Sequence, residues 1–296
     1  MKYSLFFIAI ISLFAACEKN ISVSPPAYTE KVNIQCSLEP DSLPILYLYK
    51  TVAFFDPAIT ASQLFVRNAI VEINSLDGID RLVPDSSYNR LKCEFEYFYK
   101  GKNVIKANKI YSLKIVWNGK TFTASATTSS QPVRVDSVGY TPAFSDLYGE
   151  HEGVLIYFNG LAGQSNFYRY EMQRQVDSSQ KYASSDLNKQ CIGKEIITVL
   201  EIGRSVYDGT NLGGQQNKLV IEPAFSHRAG LVGIVRIETI DKVTFDFFDN
   251  IDRQKLAQLN PFVEPVFVKA GQFGDAAVGY FGALVRSPPV RFVFPE

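Results

Sequence analysis

The sequence predicts a mainly β protein, and three observations carry the prediction. Apolar and polar residues alternate at Val32, Ile34, Cys36 and Leu38, the period of a strand with one buried face. Asn118-Gly119 separates two further apolar runs and supplies the positive-φ pair that a tight hairpin demands. Tyr (16) and Phe (22) are abundant, as suits pleated, half-buried strands, while a helical apolar period is read only after Asp241.

Taken in chain order, the first segment is an address. Met1-Lys2-Tyr3-Ser4 sets one positive charge ahead of an apolar run from Leu5 to Phe14, closed by Ala15-Ala16-Cys17. Charge, length and ending are those of a secretory signal peptide. The run is shorter than the roughly 20 residues of a membrane span, and polar Glu18-Lys19-Asn20 follow at once. Leu13-Phe14-Ala15-Ala16-Cys17 resembles a bacterial lipobox, with Phe14 where Leu is commoner. On that reading residues 1–16 are removed and Cys17 becomes a diacylated first residue. An ordinary cleaved signal with a chance cysteine is the alternative. Residues 17–30, with Ser24-Pro25-Pro26, read as an extended tether.

After the strand at Val32, Leu46 to Tyr49 and Ile70 to Ile73 continue the alternation, the latter before a turn-like Leu76-Asp77-Gly78. Phe95 to Tyr99 is an aromatic strand, and Ile110 to Trp117 with Lys120 to Ala124 form the hairpin. This spacing argues an Ig-like or fibronectin-like β-sandwich over residues 31–128. Ser129-Ser130-Gln131-Pro132 marks a boundary to a second β-rich domain, residues 133–296. Its strands are read at Val154 to Phe158, Phe167 to Met172, Ile196 to Ile202, Leu219 to Ile221 and Leu231 to Ile240. One helix is expected near 242–259, capped by Asp241, with Val243, Phe247, Phe248, Ile251, Leu256 and Leu259 on one stripe and Pro261 ending it. Strands return at Val266 to Val268, Val278 to Val285 and Val290 to Phe294. The polar loops at 176–194 and 207–217 are candidate recognition surfaces, with Tyr182 and Tyr207 as possible ligand or partner contacts.

With Cys17 set aside, three cysteines remain. Cys36 with Cys93 is the candidate disulfide because both lie in the first half; three buried thiols without a bridge stand beside it as an equal reading. The absence of Cys-x-x-Cys gives no support to a zinc ribbon or a thioredoxin-like site.

Catalytic signals are sparse. Lys+Arg (30) balances Asp+Glu (30), so no global field draws in nucleic acid. The two histidines, His151 and His227, stand apart in sequence without further nitrogen or sulfur ligands beside them, and no metal is expected. Gly203-Arg204-Ser205-Val206 comes nearest to a hydrolase elbow and lacks its closing glycine. No glycine-rich phosphate loop occurs, so no cofactor is expected. Asp241, Asp246, Asp249 and Asp252 read as a solvated helix stripe rather than a calcium loop. Tyr47, Tyr49, Phe54, Phe55, Tyr97 and Tyr99 could stack on sugar rings or anchor a partner, although alternation turns about half of any such set inward.

A family resemblance adds location. The lipobox followed by Glu18-Lys19, the strand at Lys31-Val32-Asn33-Ile34, the Ile110 to Thr127 hairpin and Pro132 to Val138 occur in the order of one family. Asn166-Phe167-Tyr168-Arg169-Tyr170, Asn260 to Pro265 and Gly279-Tyr280-Phe281-Gly282-Ala283 complete that order. In it the chain resembles the Bacteroidota lipoprotein family catalogued as domain of unknown function 4249 (DUF4249). The resemblance implies an outer-membrane lipoprotein, largely β, commonly encoded near a TonB-dependent receptor, with no established activity and no catalytic residue to carry over. The expectation is a non-enzymatic lipoprotein, anchored at Cys17 on the periplasmic or cell-surface side, that partners a TonB-dependent receptor in nutrient uptake. The alternative is a stand-alone glycan- or peptide-binding module, and behind it a carboxylate-based hydrolase.

Overall fold

The computed structural model describes residues 28–52, 60–129, 131–146, 149–161, 166–177, 191, 196–202, 206–209, 214–221, 229–259 and 271–296. Cys17, Phe54, Phe55, Tyr182, His227 and the strand expected at Val266 to Val268 lie outside them. Among the described residues, no helix is long and apolar enough to cross a membrane.

The first half builds β1 (Val32–Leu38), β2 (Ile45–Lys50), a short α1 (Ala61–Leu64), β3 (Ile70–Ser75), β4 (Gly78–Asn89), β5 (Glu94–Lys100), β6 (Ile110–Trp117) and β7 (Lys120–Thr127). The second builds β8 (Arg134–Asp146), β9 (Gly149–Asn159), β10 (Phe167–Asp177), β11 (Ile196–Ile202), β12 (Tyr207–Asp208), β13 (Gln216–Ile221), β14 (Val232–Ile240), α2 (Lys242–Leu259), β15 (Ala277–Arg286) and β16 (Val290–Val293). The protein is thus mainly β, as the sequence predicts, with one sheet of 13 strands and one of 3.

Local chemistry explains the well-formed elements. Burial alternates without a break along β1, so Val32, Ile34, Cys36 and Leu38 all enter the core. Asn118 (φ 49°) and Gly119 (φ 73°) take the left-handed conformations that let Trp117 pair with Lys120. Helix α2 starts where Asp241 accepts the Thr244 N–H at 2.9 Å; its second carboxylate oxygen accepts the Ala283 N–H at 2.8 Å, fixing the helix to β15. Burial raises the pKa of Asp241, against the opposing hydrogen bonds from Thr244 and Ala283.

The large sheet runs β11-β10-β14-β15-β1-β2-β5-β4-β3-β6-β7, with β12 on β10 and β16 on β14; the small one runs β13-β9-β8. Two hydrophobic clusters lie on either side of the boundary read at 129–132. One gathers the apolar faces of β1 to β7, and the other those of β8, β9, β10, β13 and β14. The sheet itself does not stop there. C-terminal β15 enters between β14 and β1, pairs in parallel with β1 from Val32↔Ala277 to Leu38↔Ala283, and gives Ala277 and Phe281 to the first cluster. Gly279 makes this approach possible, since a Cβ there would strike the Ile34 carbonyl oxygen.

One face of this junction is polar although covered. Arg169 on β10 faces Glu238 on β14, and Glu238 faces Arg286 on β15. The Arg169 guanidinium meets the Glu238 carboxylate at 2.6 Å, and Arg286 reaches Glu238 at 3.1 Å and Glu171 at 2.7 Å. Glu39 also pairs with Arg286, and Arg236 with Glu171 at 2.8 Å, which makes three arginines to three glutamates. Phe248 of α2 lies 4.2 Å from the Arg169 guanidinium, over this network.

Candidate functional site

The two most exposed aromatic residues among those described, Tyr88 and Phe95, sit where β4 and β5 leave the body. Asp80 and Leu82 are buried on β4, but from Val83 to Tyr88 every residue is exposed. On β5, Phe98 and Tyr99 are buried while Glu94 and Phe95 are exposed. Beyond Leu82 strand β4 has lost β3, and before Tyr99 strand β5 has not yet met β2. Residues 85–98 are therefore a two-stranded ribbon, paired from Asp85↔Phe98 to Asn89↔Glu94.

A lone two-stranded ribbon is marginal in water, and four devices hold this one. At the tip, Asn89 Oδ1 accepts the N–H groups of Leu91 (3.0 Å) and Lys92 (3.2 Å). Leu91 packs on a small cluster of Val176, Ile197 and Val199, and Cys93 is disulfide-bonded to Cys191, with 6.0 Å between their Cα atoms. At the base, the Tyr49 hydroxyl donates to the Tyr97 carbonyl at 2.5 Å and accepts the Tyr97 N–H at 3.2 Å, doing the work of a neighbouring strand.

The disulfide corrects the expected pairing of Cys36 with Cys93. Cys36 is a free thiol inside the first cluster, where burial pushes its pKa up to about 12. The in-phase position on β1 turns Cys36 inward, whereas Cys93 sits at a ribbon tip that reaches the second half of the chain.

One face of the ribbon is a row of rings. Tyr88 and Phe95 stand opposite each other, centroids 5.1 Å apart, and Tyr97 follows 6.5 Å from Phe95. Tyr97 stacks on Phe65 at 5.6 Å, which leads to the buried Tyr99 at 5.5 Å. The Arg67 guanidinium lies 4.6 Å above the Tyr97 ring and donates to Ser62 Oγ at 3.2 Å. Strand alternation puts Asp85, Glu94 and Glu96 on the opposite face, where Lys100 and Lys92 lie 4.0 Å and 3.7 Å from Asp85 and Glu96.

Other residues singled out from sequence are placed differently. Tyr47 is on the acidic face, edge-on to Phe98 at 6.1 Å; burial, then Glu96, raises its pKa. Tyr49 and Tyr97 are half-buried, and Tyr99 is wholly buried with its hydroxyl donating to the Val66 carbonyl at 2.7 Å. Tyr207 is half-buried against the second cluster, paired with Tyr168, and burial followed by Asp252 pushes its pKa up to about 12. Asp246 and Asp249 make helical pairs with Lys242 and Arg253 at 2.6 and 2.8 Å, as a solvated stripe would. Among the described residues, no three His, Cys, Asp or Glu side chains gather as a metal site.

A shallow cavity of about 380 Å³ opens at another end of the first cluster, over Ile73, Ile105 and Tyr111. Its buried Asp80 accepts the N–H groups of Lys102 at 3.0 Å and Asn103 at 2.9 Å, a loop-fixing role.

The molecule is therefore a mainly β protein whose most distinct surface is a clasped aromatic ribbon. The chain belongs to the family described as domain of unknown function (DUF4249), whose model matches residues 18–286. No curated protein matches the sequence.

Proposed function

We infer that the protein is a non-enzymatic lipoprotein of the outer membrane, held there through acylated Cys17, which serves a TonB-dependent receptor in nutrient uptake. Its ribbon is the surface that captures ligand. The observation that carries the reading is the leader: one positive charge, an apolar run and the closing Leu13-Phe14-Ala15-Ala16-Cys17. Membership of the DUF4249 family from residue 18 onward agrees with a mature chain that starts beside that cysteine. The half-exposed Tyr88 and Phe95 supply flat contact area at small entropic cost, which favours capture.

The test is mild detergent extraction of the full chain from its own membranes, with mass spectrometry of the N-terminal peptide and of co-purifying proteins. The expected result is a diacylated Cys17 and a TonB-dependent barrel. A chain retaining Met1, or cleaved without acylation, overturns the anchor; an acylated chain that recovers no barrel overturns the receptor partnership. The ribbon also favours a second reading, a stand-alone glycan-binding module, which predicts ligand binding in the absence of any barrel.

A further inference from the structure

We propose that the ribbon's aromatic face binds an acidic oligosaccharide, with sugar rings stacked on Phe95 and Tyr88 and a uronate carboxylate held by Arg67. The proposal rests on the ligand-capturing part of the reading above and names its ligand class.

A partner strand is a poor fit for this ribbon. Strand addition needs free N–H and C=O groups along an edge. Strand β4 carries Pro84, which has no N–H to give, and on β5 both backbone groups of Tyr97 are engaged by the Tyr49 hydroxyl. What remains open is ring surface. Tyr88 and Phe95 are each 51% exposed, and their flat faces match the C–H faces of a pyranose.

Charge selects among sugars. The three acidic side chains of the ribbon lie on its other face, so the guanidinium beside the rings is that of Arg67. Its polar contact is with Ser62, and no ion pair to a carboxylate is found for it among the described residues. A guanidinium stacked on a ring keeps its N–H edge free, and that edge fits a carboxylate as a planar fork. A guanidinium stacked at one end of an aromatic row suits an occasional carboxylate, whereas the continuous phosphates of a nucleic acid call for a basic track. The clasp at Cys93 and the hydroxyl of Tyr49 set the ribbon before ligand arrives, which lowers the ordering cost of binding.

The experiment titrates the detergent-solubilised full chain with tetramers built from galacturonate, mannuronate and glucuronate, each beside its carboxyl-reduced neutral counterpart. At least one uronate is expected to bind at least about tenfold tighter than its neutral form, a difference of roughly 1.4 kcal/mol. Arg67→Met should abolish that preference. Phe95→Ser and Tyr88→Ser should each weaken acidic and neutral forms alike, with the thermal midpoint of every variant reported beside its affinity. Binding of none of the three uronates, equal affinity for a uronate and its reduced form, or indifference to both ring substitutions overturns the proposal. An acylated chain that ignores all uronates fails here alone, and a uronate-binding chain without acylation fails the anchor reading alone.

Discussion

Strands β5 and β10 are written in similar letters and do opposite things. Strand β5 reads Glu94-Phe95-Glu96-Tyr97-Phe98-Tyr99-Lys100 and β10 begins Phe167-Tyr168-Arg169-Tyr170-Glu171-Met172, both alternating aromatic with charged residues. In β10 seven of the eleven residues are buried and none is exposed, because β14 pairs along one edge, β11 and β12 along the other, and α2 packs on one face. In β5 the outer residues have β4 alone. The charges of β10 are consequently desolvated and locked to partners, while Phe95, in the outer part of β5, stays open to solvent. The number of paired edges, not composition, decides whether such a strand is core or contact surface.

The sharpest way to break this comparison is to remove the cover. A chain cut to residues 31–128 loses β15, exposing one edge of β1 and the space filled by Ala277 and Phe281. It is expected to show no cooperative urea transition by circular dichroism; a cooperative one would make the first half an independent unit. Next comes Glu238→Ala, which leaves buried Arg169 without its carboxylate. The expected loss is about 3–5 kcal/mol in urea unfolding, and a loss below 1 kcal/mol would mean that water reaches the network. Cys191→Ser opens the clasp across a sequence separation of 98 and should lower stability by about 2–4 kcal/mol, with faster amide exchange in residues 85–98. Unchanged ribbon exchange would leave Leu91 and Tyr49 as sufficient fastenings.

Smaller effects sharpen the contrast. The Cys36 thiol has a folded pKa raised from 9.0 to about 12, so the unfolded chain ionises first and its contribution to stability, complete below pH 9, falls as pH rises toward 12. Compared with Cys36→Val, the wild type should lose about 1.4 kcal/mol more per pH unit in that window; parallel curves would mean that the thiol is not buried. Tyr88→Ser on the open face should shift stability by no more than about 0.5 kcal/mol, and a larger loss would mark the ring as packed.

Much of this was legible in the residues. Alternation gave away β1, Asn118-Gly119 the β6 to β7 hairpin, and Asp241 with its apolar stripe the helix that spans Lys242–Leu259. Strand β4 was not legible beyond its turn, because Pro84-Asp85-Ser86-Ser87 is polar on both faces, a pattern that only a ribbon with two wet faces permits. The parallel pairing of β1 with β15 leaves no local signal, since the two strands are far apart in sequence. The disulfide had a signal that proximity along the chain obscured: Cys36 keeps phase with Val32, Ile34 and Leu38, which leaves Cys93 and Cys191 to pair. Of the site, Tyr97 and its aromatic strand stood out, but Tyr88 and Arg67 join them only through the β4 to β5 register and the fold of α1.

The central claim is that the ribbon's ring face is open in the intact protein while the like-composed β10 is covered. Hydroxyl-radical footprinting of the full chain in detergent reads both strands in one experiment. Rapid oxidation of Tyr88 and Phe95 beside slow oxidation of Tyr168 and Tyr99 is the predicted result. Oxidation of Tyr88 and Phe95 as slow as that of Tyr168 would show the face already covered and contradict its role as a capture surface.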